Sequence, residues 1–122
     1  MVQRVLVVDD EPSITMMLRM ILGSEGLEVS TANSAAEAQS ALAKTAFDVV
    51  VTDMRMETPV AGMQVAGFAK ASKSKPAVVI LSAFPMQANE WAGFADVYLQ
   101  KGGSVTELVE VVENLLRARA AA

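Results

Sequence analysis

The sequence has neither cysteine nor histidine among its 122 residues. Without thiols there is no disulfide framework and no thiolate metal site, and without imidazole the commonest general base and metal ligand are gone. Any chemistry therefore runs on carboxylates, hydroxyls and amines. Aromatic residues make up only 5% of the chain, so Ala, Val, Leu and Met must fill the interior, as they do where helices pack closely on a parallel sheet. Basic residues are outnumbered, with 10 Lys and Arg against 14 Asp and Glu and a formal charge of −4. Phosphate backbones demand clustered Lys and Arg, so this balance argues against direct nucleic-acid binding. Arg117 and Arg119 sit where a helix C-terminus welcomes cations and read as dipole complementation and solubility. Long apolar runs are missing too. Stretches such as Val78 to Leu81 fall far short of the ~20 residues of a membrane span, and no signal-peptide pattern opens the chain. A cytoplasmic protein with no membrane contact is expected.

What is present fits one domain, residues 1–122, long enough to bury roughly two-thirds of the surface its unfolded chain exposes. Val5 to Val8 is an apolar, β-branched run ended by Asp9, Asp10, Glu11 and Pro12. Ile14, Met17, Leu18, Ile21 and Leu22 then recur at helical spacing, so a buried strand is followed by a helix that Gly23 and Gly26 close. Leu27 to Ala32 predicts a second strand, and Ser34 caps a helix from Ala35 to about Lys44. Phe47 to Thr52 predicts the third strand, ending at Asp53, with a weakly amphipathic helix from about Met63 to Ala71. Ala77 to Leu81 forms the fourth strand with Ser82 at its tip, Pro85 opens a short helix to about Ala92, and Val97 to Leu99 ends the sheet. Ser104 caps the last helix, where Val105, Leu108, Val109, Val112, Leu115 and Leu116 make one stripe. This alternation predicts an α/β fold: a doubly wound, five-stranded parallel sheet in the flavodoxin-like order 2-1-3-4-5, helices on both faces.

The polar residues gather at one edge of that sheet. Asp9 and Asp10 end strand one, Asp53 ends strand three, Ser82 ends strand four and Lys101 follows strand five. In an open parallel sheet the carboxyl ends of the strands border the ligand crevice, and in this order the switch point lies between strands one and three. Three converging carboxylates repel one another, so they need a cation or raised pKa values. Mg²⁺ suits them, because hard divalent ions take a few carboxylates plus waters and a phosphate oxygen. An in-line phosphoryl transfer then needs a carboxylate nucleophile, Asp53, an ion partner, Lys101, and a hydroxyl donor, Ser82. Taken singly, each residue has a plainer role: Asp10 or Glu11 as a helix cap, Ser82 as a satisfied loop hydroxyl, Lys101 as a solvated charge. Their placement at successive strand ends favours function.

These residues also make the chain resemble the response-regulator receiver family over essentially its whole length. Val-Leu-Val-Val-Asp-Asp-Glu-Pro at 5–12 is similar to that family's first strand and acidic pair, and Phe-Asp-Val-Val-Val-Thr-Asp at 47–53 to its third strand and phospho-acceptor. Leu-Ser-Ala at 81–83 is similar to its switch hydroxyl, and Tyr-Leu-Gln-Lys at 98–101 to its final strand and lysine. The resemblance implies that Asp10 and Asp53 ligate Mg²⁺ directly, with Asp9 acting through water and the Arg55 backbone carbonyl as a further ligand. It implies a phosphohistidine donor on a sensor histidine kinase or histidine phosphotransfer protein. It also implies a switch in which Ser82 moves toward the phosphoryl group and Tyr98 turns inward, so that a downstream protein target or effector domain is bound or released. On this reading the protein is no enzyme beyond its own phosphorylation and dephosphorylation, and a homodimer through the last helix stays open.

Three departures from the family pattern carry expectations of their own. Gly102 follows Lys101 where the family usually has a proline, so a trans, looser lysine loop is expected. Pro59 and Gly62 fall late after Asp53, so an extra residue bulges there and the third helix starts differently; Arg55 can pair with Glu57 or reach the phosphate. The interval from Ser82 to Lys101 is short, so the fourth helix is shortened or displaced. Met16 and Met20 lie beside the core stripe of the first helix and either extend the core or form an adaptable docking face. Two other functions compete. A receiver fold kept for protein interaction with little phosphorylation would fit the altered loops. A haloacid-dehalogenase-like phosphatase would need two aspartates separated by one residue, whereas Asp9 and Asp10 are adjacent and Glu11 occupies the third place.

Overall fold

Runs of valine are stiff at χ1 and favour the extended pleat, and three such runs make the centre of the sheet: β1 (Arg4–Val8), β3 (Val49–Asp53) and β4 (Ala77–Ser82). The more polar β2 (Glu28–Ala32) and the short β5 (Val97–Gln100) form the edges. Four helices, α1 (Pro12–Gly23), α2 (Ala35–Lys44), α3 (Ala61–Ala71) and the C-terminal α4 (Val105–Ala121), complete the elements among the described residues. The computed structural model describes residues 2–83 and 93–121. The sheet order is β2-β1-β3-β4-β5, and every neighbouring pair is parallel, as expected from the sequence.

Because side chains alternate across a strand, the continuous apolar runs feed two separate layers. Leu6, Val8, Val50, Val78 and Ile80 pack under α2 and α3, against Ala35, Ala38, Leu42, Ala61, Val65, Ala66 and Ala69. Val5, Val7, Val49, Val51, Val79 and Leu81 pack under α1 and α4, against Leu18, Leu22, Leu108, Val112 and Leu116. The small residues of α2 and α3 let those helices lie close to the sheet and to each other. Ser34 caps α2 as its sequence predicts, its Oγ accepting from Glu37 N at 3.1 Å.

Several expectations shift. β3 starts at Val49 rather than Phe47, because the Asp48 carboxylate accepts the Arg4 amide at 2.9 Å and leaves Phe47 as a buried core side chain. Helix α3 starts two residues early, at Ala61, since Gly62 N donates to Met54 O at 2.8 Å and draws the first turn against the end of β3. Met17, placed on the core stripe by its spacing, is instead 41% exposed and lines an apolar groove of about 250 Å³ between α1 and the start of α4. Met16 and Met20 stand out in solvent, not in the core. Arg119 is no solvated charge: its guanidinium donates to Lys75 O at 2.9 Å and Ser74 O at 3.0 Å, clamping the end of α4 to the turn before β4. The helix expected from Pro85 to Ala92 lies outside the described residues.

Candidate functional site

Three backbone hydrogen bonds carry the parallel ladders one residue past the strands. Asp9 N donates to Ala32 O (3.1 Å), Met54 N to Leu81 O (2.8 Å) and Lys101 N to Ser82 O (2.7 Å). Rigid sheet, rather than loop, therefore aims the side chains of Asp9, Asp53 and Lys101. They meet at the carboxyl edge, where the Lys101 ammonium donates to Asp9 Oδ2 at 2.9 Å and to Asp53 Oδ2 at 3.1 Å. Asp9 and Asp53 are both buried, while Asp10 faces solvent beside them. Oxygens of all three carboxylates lie within 4.8 Å of one another, a spacing that can hold a metal ion.

The electrostatics follow from burial and like charge. Burial raises the Asp53 pKa above its ordinary 3.8, helped by Asp9 and Asp10 and opposed by Lys101. Burial works against the Lys101 ammonium, yet its hydrogen bonds to Asp9 and Asp53 outweigh this and hold its pKa above 10.5. An acidic pair stapled by one cation still has excess negative charge, which a divalent ion would neutralise. The donor set is oxygen only, as Mg²⁺ prefers, so the residues present fit that ion.

The other candidates take definite places. Ser82 is buried at the end of β4. Tyr98 is half-buried on β5 and packs against the α2–α3 layer. Arg55 is exposed, two residues past Asp53. The capping alternative for Asp10 and Glu11 does not hold: Glu11 occupies the cap position of α1 without a side-chain cap bond, and Asp9 Oδ1 accepts the Glu11 amide at 2.9 Å. The loop after Lys101 is trans, with no cis peptide among the described residues, and Gly102 has φ +87°. Proline is fixed near φ −65°, so this backbone excludes the residue usual in the family.

The sequence did not reveal the supporting contacts of Asn33, Glu57 and Gly62. Asn33 Nδ2 donates to Asp9 O at 3.0 Å. The Glu57 carboxylate accepts the Ala35 amide, with Oε2 at 2.9 Å and Oε1 at 3.2 Å. At Gly62, an added Cβ would stand 2.5 Å from Asp53 O and 2.7 Å from Met54 Cα. Only Gly62 left a signal, its displacement relative to the usual pattern; the other two are tertiary contacts that no local spacing encodes.

A doubly wound sheet with an acidic, lysine-braced crevice at its switch point defines a class of open α/β domain whose chemistry is centred on an aspartate. The sequence model of the response regulator receiver domain matches residues 5–113, and the chain belongs to that family. Among relatives, the transcriptional regulatory protein PrrA of Mycobacterium leprae is 38% identical over 121 residues, 97% of this chain and 52% of that protein. The response regulator protein PilR of Pseudomonas aeruginosa is 32% identical over 122 residues, 96% of this chain and 27% of that protein. Among solved structures, the response regulator TrrA of Thermotoga maritima in complex with Mg²⁺-BeF is similar at TM-score 0.82 and 34% identity, covering 93% of this chain and 99% of that one. The chain spans about half the length, or less, of these two curated relatives.

Proposed function

We propose that Asp53 accepts a phosphoryl group from a phosphohistidine and that the resulting charge switches a partner-binding surface. The observation that carries this is the bridge from Lys101 to both Asp9 and Asp53 at the switch point, with three carboxylates within 4.8 Å. In the transfer an Asp53 carboxylate oxygen forms a bond to phosphorus while the phosphorus–nitrogen bond of the donor breaks, its electron pair returning to the imidazole. The chain contains no histidine, so the donor belongs to a sensor kinase or phosphotransfer protein. Lys101 holds the acceptor and pairs with the incoming phosphoryl oxygens, and the Ser82 hydroxyl donates to another.

Mg²⁺ would be held by Asp10 and Asp53, by Asp9 through water and by the Arg55 carbonyl, and would neutralise charge on the phosphoryl oxygens. The Mg²⁺-BeF complex of the Thermotoga relative supports this pairing of metal and anion. The domain is a substrate and switch rather than an enzyme acting on others, with Ser82 and Tyr98 relaying the change. The names of its relatives support a downstream effector or protein target and, with it, a cytoplasmic location.

Treatment with a small phosphodonor and Mg²⁺ should add the mass of one phosphoryl group, lost in Asp53→Asn and on chelation of the metal. Undiminished incorporation in Asp53→Asn would overturn the assignment of the acceptor.

A further inference from the structure

Ala35 opens α2, so its amide is one of the four that a helix leaves without an internal partner. Ser34 already serves the Glu37 amide. The Ala35 amide is met instead by a carboxylate from 22 positions away, Glu57, with both oxygens in range at 2.9 and 3.2 Å. An anion at a helix N-terminus is favoured by the aligned peptide dipoles, so this contact is more than incidental packing. Glu57 belongs to the segment between Asp53 and α3, and the same turn that holds Glu57 also holds Asp9, through Asn33 Nδ2 and Asp9 O. The start of α2 thus joins the two loops that bear the acidic residues.

Within that segment Met56 N donates to Thr58 O at 3.1 Å and Ala61 N to Thr58 O at 3.3 Å. These bonds shape the loop locally, and Met56 packs against the α2–α3 layer. Gly62 N to Met54 O fixes its ends, and Glu57 ties its middle to α2. The Arg55 carbonyl, the backbone ligand of the receiver reading, lies two positions before that tie. We infer that Glu57 is a positioning residue for the cation site, anchoring the loop after Asp53 to the N-terminus of α2. The inference rests on the receiver reading for the ligand set, but its test does not depend on phosphoryl transfer.

Mg²⁺ affinity is measured by amide NMR titration of the intact chain, with hydrogen exchange at the Ala35 amide followed in parallel. Three substitutions at Glu57, an exposed position, separate reach from charge. Glu57→Gln keeps the acceptor and its reach and should bind Mg²⁺ close to the parent. Glu57→Asp keeps the charge but shortens the reach, and Glu57→Ala loses both; each should weaken Mg²⁺ binding roughly three- to tenfold, below the roughly 10–100-fold typical of groups bonded directly to a ligand. Both should also speed Ala35 exchange. Faster Ala35 exchange in Glu57→Ala with unchanged Mg²⁺ affinity would make Glu57 a helix cap alone and overturn the proposal. Weak binding in Glu57→Gln with normal binding in Glu57→Asp would overturn it in favour of long-range charge. A parent that binds Mg²⁺ in this Glu57-dependent way yet accepts no phosphate upholds the positioning role while sinking the receiver reading.

Discussion

Substituting the two glycines of α3 by alanine should move stability in opposite directions. A Cβ at Gly62 would lie 2.5 Å from Asp53 O and 2.7 Å from Met54 Cα, whereas one at Gly67 meets nothing within 4 Å. Non-bonded carbon contacts are comfortable at ~3.5 Å, so the first is about 1 Å too close, and both neighbours are backbone that cannot rotate aside. Overpacking costs about 1–3 kcal/mol, and rigidity of the end of β3 puts Gly62 at the upper end. Alanine recovers at most about 1 kcal/mol of helix propensity, less in a first turn. Gly62→Ala should therefore lose about 2 kcal/mol and Gly67→Ala should gain about 0.5–1 kcal/mol. For a domain of this length these correspond to a Tm roughly 6–10 °C lower and 2–5 °C higher. Because the overlap is relieved by moving the acceptor's own backbone, Gly62→Ala should also slow Mg²⁺-dependent phosphorylation at least about tenfold. Urea and thermal unfolding beside intact mass would read both effects. A Gly62→Ala protein as stable as Gly67→Ala, or one phosphorylated at the parent's rate, refutes the close-approach argument.

Two predictions concern the charges. Asp53 has a folded-state pKa above its ordinary 3.8, so the folded chain keeps a proton that the unfolded chain has lost, and ionised Asp53 costs stability at neutral pH. Asp53→Asn should accordingly stabilise the metal-free protein by about 1 kcal/mol at pH 7, with the gain fading as pH falls through the raised pKa toward the ordinary range; a gain independent of pH would contradict this. Lys101 has a raised pKa, so while its carboxylate partners are ionised its stabilisation is complete below 10.5 and is lost as pH rises through the raised value. Lys101→Met should leave Asp9 and Asp53 buried without a counter-charge, at about 2–4 kcal/mol. Added Mg²⁺ should restore part of that loss, and a melting curve insensitive to Mg²⁺ would count against the charge balance.

The sheet order was legible because valine runs with polar ends repeat at intervals that leave room for one helix each, and because right-handed crossovers allow few arrangements. The acidic site was legible for the same reason: Asp9, Asp53, Ser82 and Lys101 each directly end or follow a strand, so topology alone brings them to one edge. What stayed hidden depends on contacts between distant residues. Asp48 and Arg4 shorten β3 through a bond across 44 positions, and Arg119 finds two carbonyls 44 and 45 positions away. Periodicity could not separate Met17 from Leu18, since both lie near the same helical face and only the groove beside the Gly102 loop decides which is covered.

The ion pair between Asp9 and Lys101 joins residues 92 positions apart. As synthesis runs from the N-terminus, the three aspartates all emerge before the ammonium that binds two of them together. A partly folded chain with its first four strands in place would hold mutually repelling carboxylates and no braced acceptor. Contacts of such separation carry the full cost of loop closure before they give anything back, so the site is completed only when the last strand docks. Competence to accept phosphate thereby becomes a property of the finished fold, and a truncated or misassembled chain cannot counterfeit it.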